Sequence, residues 1–107
     1  LPTVAEMASW IEAQHRRAGG KIAERISADR VGKQVVLDLT MTKTYLDLSM
    51  TERKQIAESL WSFWAMKATS NGLISRKSHA RIQLRNDNNE IIGESSTSRP
   101  DNVIIYR

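Results

Sequence analysis

Arg76, Lys77, Arg81 and Arg85 fall within ten residues that hold no Asp or Glu, with His79 among them. Guanidinium and ammonium groups at that density are the chemistry that grips phosphate oxygens. On an extended segment Lys77, His79, Arg81, Gln83 and Arg85 alternate with Ala80, Ile82 and Leu84. That alternation predicts a strand with cations on one face and aliphatic side chains on the other. Arg76, Lys77, His79 and Arg81 are therefore candidate nucleic-acid contacts, with Arg53 and Lys54 as possible additions. Binding of single strands also uses exposed aromatics for stacking, and only Tyr45 and Tyr106 lie outside the expected helices.

The residues just after the basic strand temper its meaning. Asn86-Asp87-Asn88-Asn89 is a turn, then Glu90-Ile91-Ile92-Gly93-Glu94 reads as a second strand. With Asp87-Asn88 as central residues, Arg85 faces Glu90, Arg81 faces Glu94 and Leu84 faces Ile91, leaving Ile92 outside. Two cations then gain carboxylates across the hairpin. Arg76, Lys77 and His79 remain as a free cationic surface, and the bland alternative is a solvated outer face of a sheet.

Catalytic and metal-binding patterns are sparse. There is no cysteine, which excludes disulfides, thiolate sites and cysteine nucleophiles. His15 and His79 are the only histidines and stand far apart, so a zinc site or His-based triad is not expected. Gly93-Glu94-Ser95-Ser96-Thr97 lacks the second glycine of a nucleophile elbow. Asp87, Asn88 and Glu90 lack the glycine and spacing of a calcium loop, and no glycine-rich phosphate loop occurs. Nothing in the sequence holds Asp38 and Asp47 together as an acid–base pair. The expectation is a domain without enzymatic activity, metal or cofactor.

The elements that position these residues are legible in outline. Thr3 and Glu6 form a capping box ahead of a helix whose apolar face is Val4, Met7, Ala8 and Ile11. Trp10 lies at the border of that face, a candidate interface anchor. Ala18-Gly19-Gly20 ends the helix. Ile22 and Ile26 suit either a helix or a strand, but Val35, Leu37, Leu39 and Met41 alternate clearly. A hairpin over residues 21–42 is predicted, turning at Asp29 to Lys33. Ser49 and Glu52 form a second capping box ahead of a long helix. Ile56, Leu60, Phe63, Trp64 and the stem of Lys67 define its stripe, widened by Ala57, Trp61, Ala65 and Ala68. Its tryptophans are expected in the core. Asn71-Gly72 ends it, and Val103 to Tyr106 is a short last strand after Arg99-Pro100-Asp101-Asn102.

At 107 residues the chain is one domain's worth, residues 1–107. The order predicts an α+β two-layer sandwich: an antiparallel sheet of four to five strands packed on one long helix, with an additional N-terminal helix. The net charge of +4, from sixteen basic and twelve acidic residues, suits an anionic partner and is also ordinary. No apolar run approaches the roughly 18 residues of a membrane span. The absence of cysteine selects no compartment, and the start at Leu1 leaves a preceding leader open. The leading expectation is a non-catalytic protein-interaction or assembly domain, engaging a protein partner or a second copy through Trp10 or an open edge ending at Tyr106. The alternative is sequence-independent nucleic-acid binding through Arg76, Lys77, His79 and Arg81.

Overall fold

In α1, Val4–Arg17, both halves of the expected capping box form: Glu6 N–H donates to Thr3 Oγ1 (3.1 Å) and Thr3 N–H donates to Glu6 Oε1 (3.0 Å). Such a cap is worth about 1 kcal/mol. The hydrogen bonds from Thr3 hold the Glu6 carboxyl below its usual range. Val4, Met7, Ala8 and Ile11 are buried, as their spacing requires.

The computed structural model describes residues 1–107, and after α1 the chain enters a hairpin of β1, Ala23–Val31, and β2, Gln34–Met41. The turn is only Gly32-Lys33, because Val31 pairs with Gln34 and β1 runs through the stretch expected to turn. Gly32 takes φ +62°, which a two-residue hairpin turn demands and glycine supplies without strain. Val35, Leu37, Leu39 and Met41 all point into the core.

A single helical turn, α2 (Lys43–Leu46), follows; the sequence pattern did not reveal it. Thr42 starts it by accepting from Tyr45 N–H, which swings Tyr45 inward. Tyr45 is fully buried and its hydroxyl donates to the Arg53 carbonyl at 2.9 Å. It is thus no stacking platform. Burial pushes its phenol up to about 12, opposed by the Arg53 charge.

The long helix α3, Met50–Ser70, starts at the Ser49–Glu52 box and ends at Asn71 and Gly72. Its most deeply buried line is Ala57, Trp64, Ala65 and Ala68, while Ile56, Leu60, Trp61 and Phe63 flank it half-buried. The alanines let the helix approach the sheet, and Trp64 fills the space between. Trp64 Nε1 donates to the Val35 carbonyl (3.2 Å) and Trp61 Nε1 to that of Ala80 (2.8 Å), so neither indole is stranded.

After a 3-10 turn at Lys77–His79 come β3 (Ala80–Arg85), β4 (Ile91–Ser95) and β5 (Val103–Ile105). The five strands lie in sequence order, β1-β2-β3-β4-β5. One continuous core joins the sheet to α1 and α3, giving the expected α+β sandwich with its helices on one face. The sheet is antiparallel except at β2 and β3, which run parallel from Val35↔Ala80 to Thr40↔Arg85. That pairing follows from α3 acting as the crossover between them.

The β3–β4 hairpin differs from the expected register. Gln83 faces Glu94, Leu84 faces Gly93 and Arg85 faces Ile91, with a bulge between. Asn86 sets this by folding the loop around its side chain, whose Oδ1 accepts from Asn88 and Glu90 N–H at 3.0 Å each. Gly93 packs against Leu84 and Ile105; a Cβ there would lie 3.1 Å from Ile105 Cδ1 and 3.2 Å from the Ile104 carbonyl oxygen. The extra residue lets Ile92 pack partly on the core while Ile91 faces out. No helix is long and apolar enough to cross a membrane.

Candidate functional site

Because β2 and β3 run parallel, the residues preceding each strand meet at the same end of the sheet. One approach is the β1–β2 turn with Lys33, and the other is the segment from Leu73 to His79. Between them opens a cleft of about 580 Å³ whose polar lining includes Arg30, Lys33, Ser75, Arg76 and His79, with no carboxylate among its residues. Leu73 and Ile74 provide its apolar part.

Arg30 has a structural duty here. Its Nη2 donates to the Leu73 carbonyl at 2.8 Å, tying the end of β1 to the chain leaving α3. This bond spans the two walls of the cleft. The guanidinium's remaining donors make no other hydrogen bond in the fold, nor do the side chains of Lys33, Arg76 and His79. No ion pair involves any of the four. Asp29, the nearest acid in the chain, is turned elsewhere: its Oδ1 accepts from the Arg30 backbone N–H at 3.1 Å. Ser75 and His79 share the cleft without a hydrogen bond to one another. No cluster of three potential metal-ligating side chains forms.

The other residues singled out by sequence are dispersed. Lys77 is exposed on the 3-10 turn beside the cleft and does not line it. Arg81 lies on the uncovered sheet face, where its guanidinium forks onto the Ser95 and Ser96 carbonyls. Arg85 is paired with Asp38 (3.1 Å) and also donates to the Asn89 carbonyl (3.1 Å). The expected partners are therefore replaced: Glu90 accepts from Asn86 Nδ2, and Glu94 accepts from the Tyr106 hydroxyl at 2.8 Å. The Glu94 hydrogen bond raises the Tyr106 phenol above its ordinary value. Trp10 is 43% exposed, and the Lys67 ammonium sits 4.5 Å from its ring centroid, a cation–π contact.

Arg53 and Lys54 are bound into the fold. Arg53 donates to the Leu46 carbonyl. Lys54 Nζ donates to the Val103 carbonyl (2.8 Å) and Asn102 Oδ1 (2.8 Å), and pairs with Glu58 at 3.2 Å. Glu58 in turn accepts from Val103 N–H at 3.2 Å. Both outward backbone groups of Val103 are thereby satisfied by α3, which shuts the start of the β5 edge. The β1 edge is treated alike: Ile26 N–H donates to Glu12 (2.8 Å) and Ala23 N–H to His15 Nε2 (3.0 Å).

Arg30 and Lys33 are the cleft residues that sequence reasoning passed over. In the chain they sit some forty residues from Arg76, within a stretch read only as a turn; a parallel β2–β3 pairing was the missing signal. No protein-family model, curated protein or solved structure matches the chain.

Proposed function

We propose that this chain is a non-catalytic binding domain that holds nucleic acid through its phosphates, without reading sequence, at the cleft between the β1–β2 turn and the approach to β3. The observation that carries this reading is the convergence of Arg30, Lys33, Arg76 and His79 around one concavity that no carboxylate lines. Arginine and lysine side chains brought together from separate parts of a fold, with no carboxylate beside them, keep their charge available to an external anion. The Arg30 tether to Leu73 keeps the two walls together before a ligand arrives. Less ordering is then left for the binding step.

Fluorescence anisotropy with a short single-stranded oligonucleotide tests it. Two to three phosphate contacts give a log–log salt slope of about −2, a loss of roughly tenfold to twentyfold between 50 and 200 mM salt. Lys33→Glu with Arg76→Glu is expected to abolish binding at low salt. Affinity indifferent to both salt and these changes sinks the proposal.

A protein-partner reading keeps one supporting observation: Ile91, Ile104 and Tyr106 are each about 40% exposed on neighbouring strands β4 and β5 or just after. With the outward groups of Val103 capped, docking there would rely on side chains more than on strand addition. Sedimentation mass of the chain and of Ile104→Asp tests self-assembly. A monomer at all concentrations removes the second-copy version.

A further inference from the structure

Around the cleft the unpaired cations are gathered at one spot instead of being strung along β3. A track following β3 needs Arg81 and Arg85, yet Arg81 is spent on the Ser95 and Ser96 carbonyls and Arg85 on Asp38. A chain of phosphates leaving the cleft across the uncovered sheet face meets Asp38 and Glu94 as well. An internal phosphodiester brings one charge and two terminal oxygens to any one place. A phosphate monoester brings a charge of about −1.5 to −2 and three acceptor oxygens to a single point. Lys33, Arg76, the remaining Arg30 donors, His79 and the Ser75 hydroxyl offer several donors around one concavity. Arginine's fork suits two oxygens of one phosphate, and lysine adds a mobile point charge.

We infer that the cleft recognises a terminal phosphate monoester, so that a nucleic-acid strand is held by its phosphorylated end and not by its internal backbone. This rests on the nucleic-acid reading of the same cleft. The monoester's greater charge density at one point makes the strand end the tightest-held position along the polymer. Internal phosphates contribute only weak, salt-sensitive contacts from Lys77.

The test compares the full chain's affinity for one oligonucleotide in three forms: 5′-phosphate, 3′-phosphate and hydroxyl at both ends. Competition by a nucleoside monophosphate and by inorganic phosphate accompanies it. The expected result is an affinity about tenfold higher for one phosphorylated form than for the hydroxyl form. That preference is lost in Arg76→Ala and in Lys33→Ala, whose unchanged circular dichroism would show an intact fold. Equal affinity for all three forms, still abolished by Arg76→Glu, overturns the end-recognition inference and leaves the nucleic-acid reading standing. Displacement by the monophosphate at concentrations similar to those of the phosphorylated oligonucleotide overturns the strand end as the ligand. No binding of any form overturns both.

Discussion

Tyr45 shows how a single side chain's environment becomes a pH dependence. Its phenol is fully buried against the Arg53 carbonyl and is pushed up to about 12 from 10.0. The unfolded chain ionises this group near 10, while the folded one keeps its proton until about 12. Stability from the protonated phenol is complete below pH 10 and falls as pH rises to 12, by about 2 to 3 kcal/mol. Urea denaturation across that range should follow this slope, and Tyr45→Phe should flatten it at a cost of about 1 kcal/mol for the lost hydrogen bond to the Arg53 carbonyl. Gly93→Ala should destabilise by about 1 to 3 kcal/mol in the same assay, because the added methyl presses on Ile105 and the Ile104 carbonyl. Residue by residue, the chemistry was half legible. Arg76 and His79 stood out because local composition is visible along the chain. Arg81 and Arg85 stood out equally, yet they belong to Ser95, Ser96 and Asp38, partners that only the folded sheet supplies.

Elements whose ends carry their own chemistry were the most readable. Both capping boxes, Thr3 with Glu6 and Ser49 with Glu52, act within one turn and owe nothing to distant residues. The phase of α3 was less so: apolar spacing centred the stripe on Ile56, Leu60, Phe63 and Trp64 with Ala57, Ala65 and Ala68 widening it, while the helix sinks deepest along Ala57, Trp64, Ala65 and Ala68. Small residues set how closely a helix can lie on a sheet, a property that hydrophobicity alone does not rank. The β3–β4 register escaped because Asn86 takes over two backbone donors and adds a bulge. At the sheet edges α1 and α3 lend Glu12, His15, Lys54 and Glu58 to strand backbone groups. Glu58→Ala should speed amide hydrogen exchange at Val103 and cost about 1 kcal/mol. An unchanged Val103 exchange rate would show that this cap does not protect the edge.

Across the whole molecule, the α+β sandwich followed from the order of elements, and the one parallel pairing did not. Alternation within a strand tells which face is buried and is silent on the direction of its neighbour. That single pairing matters most for the proposed site, since it carries Lys33 and Arg30 to the side of Arg76 and His79. The most direct test of the cleft as the binding site is an amide chemical-shift titration with a 5′-phosphorylated oligonucleotide. The largest perturbations are expected on Gly32, Lys33, Ser75, Arg76 and His79. Perturbations centred instead on Ile91, Ile104 and Tyr106, or none at saturating ligand, would contradict the cleft as the site.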